Sequence, residues 1–268
     1  MVDPGLPRRD ESNVYVDRGA GPALGSAEGE LAAGAPREVR RRLCLALDVD
    51  DVVAAKRLAA AVQPWVGVVK VGLELYCSEG PAAVGVFREM GFEVFCDLKL
   101  HDIPTTVRRA GRVLGSLGVG YATVHAAGGV AVMRAAVEGL AAGADAVGLE
   151  APVALAVTVL TSQDAAPPHL LAGRVLQAAE AGCGGVVCAA RDLAVVSSVA
   201  PAMKKVVPGI RPTGAPRGDQ ARVATPSSAL QAGADLLVVG RPISTAEEPE
   251  RAAMEIASEV WSASRRDA

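Results

Sequence analysis

From residue 43 onward, short runs of Val, Leu, Ala and Cys alternate with Ala-rich stretches whose apolar positions recur at helical spacing, and this alternation leaves few folds open. Strands are predicted near residues 43–48, 65–71, 93–98, 120–125, 153–160, 184–189, 204–208 and 235–239. Their starts lie 20 to 33 residues apart, the length of a strand, a helix and two loops. Strands so evenly apolar belong to a parallel sheet covered by helices on its faces. Eight such units fit one (β/α)8 TIM barrel, an eight-stranded parallel α/β domain over residues 41–268. A doubly wound open sheet shares the same alternation. The polar residues favour the barrel: strand after strand ends in Asp48, Lys70, Asp97 with Lys99, His125, Thr161, Arg211 or Gly240-Arg241. A closed barrel gathers all its strand ends at one mouth, whereas an open sheet scatters them along an edge.

Residues 1–40 are of another kind. They hold four Pro, six Gly and twelve charged residues with no apolar periodicity, so a disordered N-terminal extension is predicted there. Gly19-Ala20-Gly21 follows no strand and is not read as a dinucleotide motif. Aromatic residues make up only 3% of the chain, so the core must be built from Ala, Val and Leu. A net charge of −3 excludes a general affinity for nucleic acid or for an anionic membrane, and any phosphate site must therefore be local. The five cysteines (Cys44, Cys77, Cys96, Cys183 and Cys188) form no C-x-x-C pair and read as reduced core residues. With no membrane-length apolar run and no signal-peptide core, the expected location is cytoplasmic.

Chemistry concentrates in Asp97-Leu98-Lys99-Leu100-His101-Asp102-Ile103-Pro104-Thr105-Thr106. Asp97 and Lys99 project to one side of an extended chain, roughly 6.5–7 Å apart. Asp102 falls past the strand on a turn, and Pro104 suits the first turn of a helix. Two carboxylates near an ammonium cost folding energy unless they are used, although a strand-end salt bridge followed by an ordinary helix cap fits the same spacing. Lys70 lies inside Val68-Val69-Lys70-Val71 and must meet a carboxylate or an anion, or lose its proton. Asp48, on position alone, reads as an N-cap for the helix that starts near Asp51. His125 is expected to be a hydrogen-bonded core histidine. His101 and His169 lack metal-ligand spacing, so no metal site is expected, and no Ser or Cys has a base at motif spacing. Thr161-Ser162 reads as a turn into the next loop. The long Gly/Pro-rich loop after Arg211 carries Asp219-Gln220 and has the length of a binding loop. Gly240-Arg241-Pro242 after the last strand combines an approachable backbone, a guanidinium fork and a helix start, as a phosphate would require; a surface arginine in a turn is the plainer alternative.

The decapeptide closely resembles the catalytic segment of the orotidine 5'-phosphate decarboxylases, in which Asp-x-Lys-x-x-Asp is followed by Ile-Pro and a Thr. Ala46-Leu47-Asp48, Lys70-Val71-Gly72, the segment around His125, Thr161-Ser162, the Arg211/Gln220 loop and Gly240-Arg241 resemble further motifs of that family, in its order, over residues 43–250. The resemblance implies a cofactor-free decarboxylase that converts orotidine 5'-phosphate to uridine 5'-phosphate, with Lys70, Asp97, Lys99 and Asp102 catalytic. It implies that Asp48, Lys70 and Thr106 hold the ribose, that Thr161 contacts the pyrimidine, and that Arg211, Gln220, Gly240 and Arg241 bind the phosphate. It further implies a homodimer in which Asp102 and Thr106 reach the neighbouring subunit's site. Thr105 stands where many members have Asn, and the segment from Thr161 to Val187 is shorter than in bacterial members. Two rivals predict different chemistry: a magnesium-dependent sugar-phosphate aldolase or decarboxylase with a similar Asp-x-Lys-x-x-Asp, and a non-catalytic phosphate-binding barrel. Ile103-Pro104, the Thr161-Ser162 hydroxyls and the Arg211/Gln220 loop match the nucleotide enzyme, and all four charged members of the cluster are present.

Overall fold

Strands apolar on both faces need neighbours on both edges and cover on both faces, and the computed structural model, which describes residues 34–160, 167–212 and 224–265, meets that need by closure. In chain order the elements are α1 (Arg37–Arg40), β1 (Leu43–Leu47), α2 (Val52–Val62), β2 (Val68–Gly72), α3 (Leu73–Glu79), α4 (Ala82–Glu89), β3 (Glu93–Leu100), α5 (Pro104–Ser116), β4 (Tyr121–His125), α6 (Gly129–Asp145) and β5 (Val153–Val157). They continue with α7 (Pro168–Glu180), β6 (Gly185–Val187), α8 (Leu193–Val199), β7 (Lys204–Pro208), α9 (Pro226–Gln231), β8 (Leu236–Val239), α10 (Arg241–Ser244) and α11 (Pro249–Ser264). Each strand pairs in parallel with the next, and β1 closes on β8 from Leu43↔Leu237 to Leu45↔Val239. The closure decides for the barrel over the open sheet.

Alternation along each strand splits the core in two. Cys44, Ala46, Val68, Phe95, Tyr121, Leu155, Val206, Leu236 and Val238 fill the barrel interior, while the intervening residues pack outward against the helices. The next inward positions on three strands are Asp48, Lys70 and Asp97, so the period of two that builds the core also delivers charge to its C-terminal rim. Strand five stops at Val157 rather than 160: the Thr158 N–H and hydroxyl both donate to the Val187 carbonyl, at 3.2 and 2.9 Å, and the chain bends at Val159. Asp51 caps α2, accepting from the Val53 and Ala54 N–H groups at 2.9 and 3.1 Å, which leaves Asp48 free of the capping role.

Helices α5 and α6 touch backbone to backbone. A Cβ on Gly115 would collide with the Leu140 carbonyl oxygen, and one on Gly143 with that of Arg112. At the strand-start end the structure departs from the predicted tail. Ala35 N–H donates to the Pro64 carbonyl at 2.9 Å, Val39 is fully buried, and the Arg40 carbonyl accepts from Gly67 N–H at 2.8 Å, so residues 34–40 are packed. Residues 1–33 of that extension lie outside the described residues.

The reading of all five cysteines as core residues needs one correction. Cys44, Cys96, Cys183 and Cys188 are buried, but Cys77 is exposed. Leu75 is the buried residue of α3, and two positions further on a helix points roughly 200° away. Burial pushes the thiols of Cys96, Cys183 and Cys188 up to about 12, which keeps them protonated and poor nucleophiles. Among the described residues no helix is long and apolar enough to cross a membrane.

Candidate active site

The rim charges form one connected array. Lys70 Nζ donates to Asp48 Oδ1 at 2.9 Å and lies 3.7 Å from Asp97 Oδ2, and Lys99 Nζ donates to that same Asp97 oxygen at 2.8 Å. The other Asp97 oxygen, Oδ1, accepts from the Thr123 hydroxyl at 3.0 Å. Asp97 is therefore held from three sides, with its side chain only 13% exposed. Burial pushes the Lys70 ammonium toward neutrality, but Asp97 and Asp48 outweigh burial and hold its pKa above the usual lysine value.

Lys99 reaches this position by an irregularity. Its φ is 51°, the one positive value among the described non-glycine residues, and the β3–β4 register shifts between Cys96 and Leu100. Such a conformation costs about 1–3 kcal/mol and persists only where the surroundings impose it. Here the Lys99 N–H, displaced from the ladder, donates to Thr123 Oγ1 at 2.9 Å. The bulge aims the ammonium across the mouth.

Two adjoining cavities open from the array. One, about 200 Å³, is lined by Lys70, Asp97 and Lys99 on its charged side and by Phe95, Val157 and Leu160 among its apolar residues. The other, about 500 Å³, shares Lys70, Pro208 and Val238 with it and runs past Asp48 to Arg211, Gly240 and Arg241. Arg211 is 8% exposed, and its Nε is buried without a hydrogen-bond partner among the described residues. A buried cation with an open donor is a poor structural element and a good anion receptor. A flat apolar group fits the small cavity, and an anionic extension fits the larger one.

Residues 41–256 match the Orotidine 5'-phosphate decarboxylase / HUMPS family. The chain is 49% identical over 228 residues to the orotidine 5'-phosphate decarboxylase of Anaeromyxobacter sp. (strain K), covering 81% of this chain and 97% of that one. It belongs to the orotidine 5'-phosphate decarboxylase family. The relative from Thermobifida fusca is 46% identical over 230 residues, covering 81% of this chain and 95% of its own. The crystal structure of orotidine 5'-phosphate decarboxylase from Lactobacillus acidophilus superposes with a TM-score of 0.72 at 33% identity, covering 82% of this chain and 99% of that one.

Of the residues that the family resemblance assigns, the structure brings Asp48, Lys70, Asp97 and Lys99 into contact and lines the adjoining cleft with Arg211, Gly240 and Arg241. Thr161 and Gln220 lie outside the described residues. Asp102 and Thr106 are exposed. Asp102 Oδ1 accepts the N–H of its neighbour Ile103 at 2.6 Å, and no ion pair joins it to Lys70 or Lys99 among the described residues. Within one chain the array is a triad with Asp48, and the fourth cluster member faces outward.

His125 also differs from expectation. It is half-buried at the exit of β4, not a core residue, and its ring stacks on His101 with centroids 5.2 Å apart. Its Nδ1 accepts the Ala127 N–H at 3.1 Å, which places the proton of the neutral ring on Nε2. Burial, then His101, Arg174 and Lys99, lower its pKa. Thr123 escaped the sequence reading, since a β-branched residue in an apolar strand reads as core. Only its inward register, two residues after Tyr121, could have pointed to it.

Proposed function

We propose that the protein removes CO2 from orotidine 5'-phosphate to give uridine 5'-phosphate, the last step of de novo UMP biosynthesis, without a metal or cofactor. Lys70, Asp97 and Lys99, locked together beside an apolar cavity of pyrimidine size, carry this reading. The C6–carboxylate bond breaks, CO2 leaves, and the electron pair stays in an in-plane orbital on C6 that no carbonyl delocalises. Lys99 Nζ gives its proton to C6 and the resulting amine regains one from solvent. Enzymes lower barriers by about 8–23 kcal/mol, and so localised a carbanion calls for the upper part of that range. Asp97 lies where the substrate carboxylate departs, so their repulsion is relieved as CO2 forms. Lys70 and the Thr123 hydroxyl hold Asp97 in place, which spares reorganisation during the reaction.

Arg211, Gln220, Gly240 and Arg241 take the phosphate, Asp48, Lys70 and Thr106 the ribose hydroxyls, and Thr161 the base. Contacts so far from C6 contribute binding energy to positioning it. The working unit is a cytoplasmic homodimer in which Asp102 and Thr106 complete the neighbour's site.

Adding purified protein to orotidine 5'-phosphate should remove its absorbance at a rate that EDTA leaves unchanged. Lys99→Ala should retain less than about a tenth of turnover while its circular dichroism stays that of the parent, because the change removes a proton donor at the mouth and not packed core. Inhibition by EDTA that magnesium reverses would overturn the metal-free reading in favour of sugar-phosphate aldolase chemistry.

A further inference from the structure

At the end of the barrel opposite the mouth, a cavity of about 620 Å³ lies where α1 and the start of β1 meet the turn into β3. Among the described residues, four guanidinium groups line it, those of Arg37, Arg40, Arg41 and Arg88, against the single carboxylate of Glu93. In a chain whose net charge is −3, this is a local concentration of positive charge. It is not neutralised internally: Arg37, Arg40 and Arg41 enter no ion pair among the described residues. Arg88 spends one donor, Nη1, on the Leu117 carbonyl at 2.9 Å. Arg40 Nε is buried and has no hydrogen-bond partner among the described residues. Glu93 offsets at most one of the four charges, and both Arg41 and Lys204 act on it. The backbone fixes the arrangement: α1 presents Arg37 and Arg40 one turn apart, and Gly67 lets the Arg40 carbonyl approach so closely that a Cβ there would collide with it.

We propose that this pocket is a second anion site, separate from the barrel mouth, that binds a linear di- or triphosphate. Guanidinium forks suit phosphate oxygens in pairs, and the excess of about three positive charges matches a diphosphate chain better than a monophosphate. Four guanidinium forks around one cavity supply the converging contacts that a merely solvated basic face lacks.

Isothermal titration of the full-length protein with inorganic tripolyphosphate tests this in four forms: the parent, Arg37→Glu/Arg41→Glu, Arg40→Gln and Arg241→Ala. Arg37 and Arg41 are exposed, so reversing their charge leaves the core intact even if Arg40→Gln fails to fold. Binding should weaken at least about tenfold in Arg37→Glu/Arg41→Glu and in folded Arg40→Gln, and stay at the parent value in Arg241→Ala. Turnover should be unchanged in Arg37→Glu/Arg41→Glu. The proposal is overturned if the parent does not bind at millimolar concentration, if the double variant binds as the parent does, or if Arg241→Ala alone abolishes binding, which would put the anion at the mouth. None of the binding readouts depends on the identity of the reaction.

Discussion

Thr123 spans the two irregular features of the mouth, donating to Asp97 Oδ1 at 3.0 Å while accepting the N–H of the strained Lys99 at 2.9 Å. Thr123→Val keeps the shape and removes both bonds. Hydrogen bonds to charged groups are worth about 1.5–3 kcal/mol, so kcat should fall about ten- to a hundredfold with little change in KM. Steady-state kinetics would show it, and an unchanged kcat would mean that Asp97 and Lys99 hold their places without the hydroxyl. Protonation has a similarly local reading. The Lys70 pKa is raised, so its contribution to stability is complete below 10.5, its unfolded value, and is lost only as pH rises through the folded one. The His125 pKa is lowered, so stability is full above 6.5 and declines as pH falls below that. The melting temperature should therefore drop as pH falls below about 6.5, and drop less in His125→Gln. Equal slopes in the two proteins would remove His125 as the cause.

Element by element, β3 does the most, since one strand supplies Asp97 and Lys99 and leads through its bulge into the turn of Asp102 and the Pro104 start of α5. That helix is anchored by its contact with α6, where glycines replace side chains and allow the two backbones to meet. Gly115→Ala should cost about 1–3 kcal/mol or more through overpacking, read as a lower urea midpoint with an unchanged slope. Because α5 carries the turn at its N-terminus, activity of the folded variant should fall as well. Full stability in this variant would show that the helices can part without loss. The spacing of Gly111 and Gly115 is visible in the chain, but the backbone they meet, at residues 136–144, is not predictable from it.

For the whole molecule, the question is what Asp102 faces. Ile103 beside it is 66% exposed, and Leu73 at the exit of β2 is 54% exposed, so two adjacent strand ends carry apolar surface. A two-fold dimer would bury that surface and bring Asp102 to the neighbour's lysines. Lys99→Ala and Asp102→Asn homodimers should each be nearly inactive. When they exchange subunits, one site of each mixed dimer carries both lesions and the other neither, so roughly a quarter of all sites should recover. If native mass spectrometry finds mixed dimers while activity remains the sum of the two separate variants, Asp102 acts within its own chain.

Periodicity is a local property, and what depends on it was legible in the residues alone: eight strands, the helices between them, the pairing of Asp97 with Lys99, and Pro104 opening a helix. The recognisable motifs extended this to Asp48, Lys70, Arg211 and Gly240-Arg241, all of which line one mouth. Closure of the sheet decided the rest, because it sets which distant residues become neighbours. It took Asp48 from a helix cap to the Lys70 ammonium, placed Thr123 against Asp97, moved His125 from the core to a stack on His101, and turned Asp102 away from its own chain's array. It also drew Arg37, Arg40, Arg41 and Arg88 from two separate segments around one cavity. Spacing along the chain can state which side of a strand a residue takes; only the register between strands states what waits there.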